Sequence, residues 1–422
     1  MMSIRFGYAC LTYGVPETEM RSCTLRTVSD EKLRGIITHN LRALELQIEY
    51  NAKQGIHLFR ISSDLIPFGS SPVNTICWQD EFAQEFLRIG EKISNAGMRV
   101  SMHPGQYTVL NSPDTDVVER AVADLAYHEQ VLSLLGTDNS SKIILHIGGV
   151  YGDRKAAVRR FVENWSFLGE NIRGRVVLEN DERSYHIAEV LSLANQLGVP
   201  AVFDVLHHGI HPPQQAESLI FWIRQCAQSW KPADGRQKIH YSQQEPDGRP
   251  GAHSQTIRSK EFLEFFTIIK GLDLDVMLEV KDKNISAVKC TLLSENPCSV
   301  PMLEEEWAHY KYAVLEHSQK NYLSVRELLK RKNGNSARQF YSLLEHALIL
   351  TVRPGDAVNA AMHIWGYFKA IAEESEKKKF ISLLENYQKG ETSTRPIKNL
   401  LYRLSKRYGQ QYILESYYFL YE

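Results

Sequence analysis

Eight short apolar runs recur through the first 292 residues of this chain, and no other feature restricts the fold so tightly. They are Arg5–Leu11, Leu58–Ser63, Arg99–His103, Lys142–Ile147, Arg175–Glu179, Ala201–Asp204, Lys238–His240 and Asp275–Val280. They are rich in Val, Ile, Leu and Phe, as strands buried on both faces require. Longer amphipathic stretches separate them. Ser29–Gln54 opens on Ser-Asp-Glu, while Asp80–Ala96, Asp114–Leu135 and Ile187–Leu197 stop at Gly97, Gly136 and Gly198. A polar start and a glycine stop are helix-capping signals. Eight strand–helix units in roughly 290 residues predict an α/β fold, a TIM (β/α)8 barrel, for which about 250 residues is typical. An open doubly wound sheet is the competing arrangement, but no GxGxxG follows the first run, which weakens it; no nucleotide cofactor is expected.

From residue 301 the strand-like runs nearly vanish. Glu304–Leu329, Ser336–Leu350, Val358–Glu374, Lys377–Gln388 and Ile397–Tyr408 read as helices, punctuated by Gly334-Asn335 and Arg353-Pro354-Gly355. Ser294, Asn296, Pro297, Ser299 and Pro301 cluster between the two regions, so a barrel domain is expected over 1–293 and an all-α domain over 302–422. The formal net charge of -1 excludes a simple polycation that holds nucleic acid by bulk charge. That charge is uneven. Residues 301–422 carry 18 Lys and Arg against 14 Asp and Glu, leaving 31 against 36 before them. The six cysteines form no CxxC pair, and neither an export signal nor a membrane-length apolar run occurs, so a reduced cytoplasmic protein without membrane attachment is expected.

The ends of the predicted strands carry the chemistry, because catalytic groups of a barrel sit at its C-terminal rim. Tyr8 lies on the first run. The third ends in His103-Pro104-Gly105-Gln106-Tyr107 and the fourth in His146-Ile147-Gly148-Gly149. The fifth ends in Glu179-Asn180-Asp181, and the sixth in Asp204 followed by His207-His208. The seventh carries Lys238 and His240, His253 lies in the loop beyond, and the eighth ends at Glu279. A lone histidine in such a place usually fills a core, and a lone acid usually caps the next helix. Together, taking one histidine of the His207-His208 pair and leaving Asp181 aside, they form a set of five histidines and three carboxylates converging on one rim. Three buried carboxylates repel one another unless cations intervene. Mixed nitrogen and oxygen donors suit Zn, Mn or Fe better than Ca. The set is too large for one tetrahedral ion, so two or three metals sharing carboxylates are expected, an arrangement suited to phosphodiester hydrolysis.

As an ordered set these residues resemble the UV damage endonucleases and, more distantly, apurinic endonucleases of the endonuclease IV type. The resemblance covers about residues 4–290 and rests on Phe6-Gly7-Tyr8, Phe59-Arg60-Ile61-Ser62-Ser63, His103 to Tyr107, His146 to Gly149, Leu178 to Asp181, Asp204 with His207, and Lys238 with His240. It implies a TIM barrel with up to three divalent ions, most often manganese, with Mg2+, Co2+ or Zn2+ as alternatives. The implied activity is a nick immediately 5′ of UV photoproducts in double-stranded DNA (cyclobutane pyrimidine dimers, 6-4 photoproducts), with abasic sites as a further class. The expected chemistry is attack by a metal-activated hydroxide, leaving 3′-hydroxyl and 5′-phosphate.

By the same resemblance, His103 and His146 hold one metal, bridged by Glu179 to a second held by Glu179, Asp204, His240 and Glu279. A third would use Asp204, His207 and His253, with His208 as a rival for His207. Lys238 matches a family lysine that can be carboxylated beside the metals. Gln106 and Tyr107 match a pair that wedges into the duplex opposite the lesion, as an amide and a ring on a Pro-Gly turn can. Tyr8 would lie near the lesion or the scissile phosphate. Ser71 departs from the family, which often carries a histidine there, and a serine offers no cation to a phosphate. Two other readings stay open: a metal-dependent sugar isomerase or epimerase on the same barrel, and a damage-binding module without catalysis. Residues 304–422 resemble a helical YbgA-type domain of unknown function, through His309 to Tyr312, Ser318 to Lys320, His363 to Phe368, Tyr387 to Gly390 and the region of Tyr408. That family offers no activity to transfer, and the partner of this part stays unknown. Its basic balance suits a longer DNA footprint or an interaction module, and its tyrosines read as core.

Overall fold

The structure, a computed structural model, describes residues 4–295, 298–331 and 336–421. Asn296 and Pro297 of the expected linker and the Gly334-Asn335 punctuation lie outside the described residues. Strands β1 (Ile4–Ala9), β2 (Leu58–Ile61), β3 (Arg99–Met102), β4 (Lys142–His146), β5 (Val176–Glu179), β6 (Ala201–Asp204), β7 (Lys238–Tyr241) and β8 (Leu274–Leu278) form a closed parallel barrel in sequence order. β1 closes on β8 with Gly7 opposite Met277 and Tyr8 opposite Leu278. All eight predicted strands are present. The fit is tight at Gly7, where a Cβ would lie 2.1 Å from the Leu58 carbonyl oxygen, so the glycine of Phe6-Gly7-Tyr8 answers to strand packing.

Side chains alternate across each strand. Ala9, Leu58 and Met277 pack together inside the barrel, as do Ile144, Val177 and Val202. Nearer the start of the strands the interior is charged: Asp275 accepts from Arg5 Nε at 2.7 Å and from Arg99 at 2.8 Å. Helices follow the strands with the expected caps. Asp30–Lys53 begins behind Ser29, Thr115–Leu134 behind Asp114, and Ile187–Leu197 ends on Gly198 in the left-handed conformation. The predicted helix over 80–96 divides into Trp78–Glu81 and Ala83–Asn95.

The chain divides into two compact units, one of residues 1–12, 17–257 and 264–288, the other of 13–16, 258–263 and 289–422. The second is helical, with a core of Tyr312, Leu315, Ile364, Phe368, Phe380, Leu401 and Tyr418 among others. The single helix expected over 304–329 is two, Val300–His317 and Gln319–Lys330, because Ser318 leaves the helical conformation and its hydroxyl caps the second by accepting from Asn321 N. Tyr310, Tyr312, Tyr341, Tyr417 and Tyr418 are buried, as the core reading of these tyrosines expects. No helix among the described residues is long and apolar enough to cross a membrane.

Candidate metal centre

The C-terminal ends of β3 to β8 bring a set of donors to one mouth. One atom each from His103, His146 and Glu179 lie within 4.8 Å of one another, and so do atoms of Glu179, Asp204, His240 and Glu279. Glu179 belongs to both groups. Its Oε2 lies 3.1 Å from His103 Nε2 and 3.5 Å from His146 Nε2, and its Oε1 meets His240 Nδ1. Glu279 Oε1 is 3.2 Å from the same His240 nitrogen. The donors are oriented from behind. His103 Nδ1 lies 2.9 Å from Pro104 O, which turns Nε2 toward Glu179. Asn180 clasps the ends of β5 and β6 together, accepting from Asp204 N at 2.9 Å and donating to Asp204 O at 3.1 Å.

Glu179, Asp204 and His240 are buried, and their charges set one another's protonation. Burial pushes the Glu179 carboxyl up, but His240, His146 and His103 outweigh it and hold it well below the ordinary range. Burial together with Glu179 and Glu279 pushes Asp204 up to about 7 against the pull of His207. Burial pushes His207 down, yet Asp204, Glu179 and Glu279 raise it to about 9. Asp204 Oδ2 and His146 Nδ1 are buried with no hydrogen-bond partner among the described residues. An orphaned carboxylate oxygen amid two further carboxylates and several imidazoles is the donor set a transition-type divalent cation satisfies.

Residues 4–298 match the family described as UV-endonuclease UvdE, and residues 311–421 match a family of unknown function, DUF1722, which is the YbgA type. The chain is 39% identical over 352 residues to a UV DNA damage endonuclease of Clostridium perfringens, covering 82% of this chain and 84% of that one. The chain belongs to the UvdE family of UV damage endonucleases. A UV DNA damage endonuclease of Bacillus velezensis is 32% identical over 295 residues, covering 67% of this chain and 91% of that protein. The solved structure titled SacUVDE superposes with a TM-score of 0.65 at 34% identity, covering 72% of this chain and 99% of that one. Membership makes the barrel that of a DNA repair nuclease.

Not every residue singled out in this UvdE-family sequence reaches the mouth. Tyr8 is a correction. It is fully buried on the helix-facing side of β1, its hydroxyl 2.7 Å from Thr12 Oγ1 and donating to Asn51 Oδ1 at 2.8 Å, so neither a lesion nor a phosphate meets it. His207 turns to the site, with Nδ1 3.0 Å from Asn180 O. His208 instead packs among Phe203 and Trp222. The His207 and His253 rings stand 6.1 Å apart, and with Asp204 they form no set as tight as the other two. Lys238 sits two residues before His240 on the same strand face, fully buried, its Nζ without a partner among the described residues. Burial, then Arg99, hold that amine well below the ordinary lysine range against the pull of Asp275. Gln106 and Tyr107 are exposed, Tyr107 at 71%, on a turn closed by Thr108 N donating to Gly105 O at 2.9 Å. Ser71 Oγ accepts from Val73 N within its own loop.

Arg60 was not among the expected site residues. Its buried guanidinium lies 2.6 Å from Glu279 Oε1 and 3.0 Å from His240 Nε2. A charged residue at the inward position of the apolar β2 run is the signal that marks it.

Proposed function

We propose that this chain nicks double-stranded DNA immediately 5′ of UV photoproducts, cyclobutane dimers and 6-4 products, and acts on abasic sites, leaving 3′-hydroxyl and 5′-phosphate. The barrel over 1–293 carries the reaction and the helical domain over 302–422 accompanies it. The observation that supports this most is the pair of donor clusters joined through Glu179. His103 and His146 with Glu179 would hold one divalent ion, and Glu179 with Asp204, His240 and Glu279 a second. Asp204, His207 and His253, more widely spaced, would be the donors for a third, and manganese suits the mixed set. Ions bound there supply positive charge at the attacking and leaving oxygens of the phosphodiester and acidify water.

The chain's own residues supply the rest. Glu179 spans the two donor groups with its separate oxygens, which fixes their spacing. Below about pH 7 Asp204 and His207 hold protons that cation loading would have to displace. Lys238, fully buried with its Nζ unpartnered among the described residues and its proton affinity lowered by that burial, is the amine that the resemblance marks for carboxylation. Gln106 and Tyr107 project from the rim and fill the space left when a damaged pair unstacks, which costs less than unstacking a sound pair. Arg and Lys contacts to phosphates then give register without sequence.

UV-irradiated supercoiled plasmid tests the reading. Relaxation that rises with UV dose and needs Mn2+ is expected. A sugar isomerase predicts no relaxation, and a non-catalytic module predicts retention of the plasmid on the protein without nicking.

A further inference from the structure

Two loops at the mouth of the barrel are fastened to one face of the Thr115–Leu134 helix. Asp124, Tyr127 and His128, at spacings of three and four, share that face and are all buried. Asp124 accepts from Thr108 Oγ1 at 2.6 Å with one carboxylate oxygen and from Ser70 Oγ at 3.1 Å with the other. Thr108 closes the turn that carries Gln106 and Tyr107, and Ser70 adjoins Ser71 in the loop after β2. Tyr127 holds the same loop one step back, donating to Ser63 O at 2.9 Å and accepting from Ile66 N at 3.1 Å. Gly69 passes its ring so closely that a Cβ would lie 2.4 Å away. His128 Nε2 is 2.9 Å from Ser63 Oγ, which donates to the carbonyl of His103 at 2.8 Å.

An exposed four-residue turn held only by its own backbone moves on the nanosecond to microsecond scale. A probing pair discriminates only if its offset from the surfaces that grip the duplex is fixed, because a mobile turn yields to sound and damaged DNA alike. Here a buried carboxylate takes one hydroxyl from each loop, and charge-assisted hydrogen bonds of this kind are the strong ones. An apolar residue would pack at position 124 without the desolvation penalty of an acid.

We propose that Asp124 is a specificity-determining positioning residue: it ties the Gln106–Tyr107 turn to the Ser63–Ser71 loop, so that only a duplex weakened opposite the turn seats on both. The proposal rests on the reading of Gln106 and Tyr107 as the probing pair. Asp124 itself is buried, and its carboxylate contacts Thr108, Ser70 and His128, none of them a member of the donor clusters.

The test compares incision of UV-irradiated and unirradiated duplexes of one sequence by the full chain with Mn2+, alongside the bound-metal content. Thr108→Val removes one hydroxyl at constant volume. It should lower the ratio of kcat/KM on damaged over undamaged duplex about tenfold. The change should fall mainly in KM for the damaged duplex, with metal content unchanged. Ser70→Ala should act in the same direction. Asp124→Ala should lose discrimination, and Asp124→Asn, which keeps an acceptor for Thr108, should recover most of it. A second readout is 2-aminopurine opposite the lesion, whose fluorescence rise on binding should shrink in Thr108→Val. An unchanged ratio in Thr108→Val and Asp124→Ala, with discrimination lost in the Gln106→Ala/Tyr107→Ala double variant, overturns the positioning role and leaves the probing pair standing. Unchanged discrimination in the double variant removes the probe, and the positioning role with it. If Asp124→Ala does not fold, Thr108→Val and Ser70→Ala decide the matter.

Discussion

Glu179 is the residue on which the two donor clusters depend, since one oxygen serves His103 and His146 and the other His240. Glu179→Gln keeps the volume and removes the bridging charge. Incision should fall at least about a hundredfold while the far-UV spectrum is retained, and a rate near that of the parent rules out the bridge. The protonation of Asp204 and His207 gives a second expectation. Their values of about 7 and about 9 mean that at pH 6 both carry protons that an incoming cation must expel. Titrating Mn2+ into metal-free protein, in two buffers of different ionisation enthalpy, should show more proton release at pH 6 than at pH 8. Equal release at both would contradict the assignment of Asp204. The six residues that the fold clusters, His103, His146, Glu179, Asp204, His240 and Glu279, could be picked out in the sequence because each lies at or next to the end of an apolar run, where a barrel turns side chains to its mouth. Tyr8 misled because it neighbours the inward Gly7: period two sends residues 6 and 8 outward to the helices. Arg60 stands one residue before the end of β2, and its role depends on Glu279 and His240, which are distant in sequence.

At the scale of elements, strands were easier to read than helices. A buried strand announces itself by composition, and its ends by the first polar residue. Helix breaks inside a continuing apolar rhythm carry no such mark. At Ser318 the periodicity runs on while the backbone turns, and only the capping serine betrays the break. The Val300–His317 helix holds another feature the pattern concealed, a buried acid. Burial, helped by Glu305 and opposed by the Tyr341 hydroxyl, pushes Glu306 up to about 8. The folded value lies above the ordinary 4.5, so the neutral acid's contribution is complete below about 4.5 and gone above about 8. Stability of the helical unit should fall by about 1.4 kcal/mol per pH unit across that window. Denaturant melts between pH 5 and 9 check this, and Glu306→Gln should flatten the profile. A parent profile already flat would mean that Glu306 ionises without penalty.

The whole molecule joins an acidic barrel to a basic helical region, and the two units have separate cores. Both candidate donor clusters found among the described residues lie in the first unit. In the metal-free barrel Asp204 titrates near 7 instead of its ordinary 3.8, so the neutral form's contribution is lost as pH rises from about 4 through 7, and the barrel weakens toward neutrality. A bound divalent ion reverses that sign, because it stabilises the ionised carboxylates that otherwise repel one another. At an ion concentration about a hundred times Kd, one site adds about 2.7 kcal/mol to the folded state. Calorimetric scans of the full chain at pH 7.5 should therefore show a barrel transition that moves up with Mn2+ and down with a chelator. The transition of the helical core should stay in place, and it is recognisable because Glu306→Gln shifts it at alkaline pH. Glu179→Gln should remove most of the Mn2+ response of the barrel transition without touching the other. A barrel transition indifferent to Mn2+ would mean that the donors do not hold cations in the folded protein, and the nuclease chemistry built on them would need another source of positive charge.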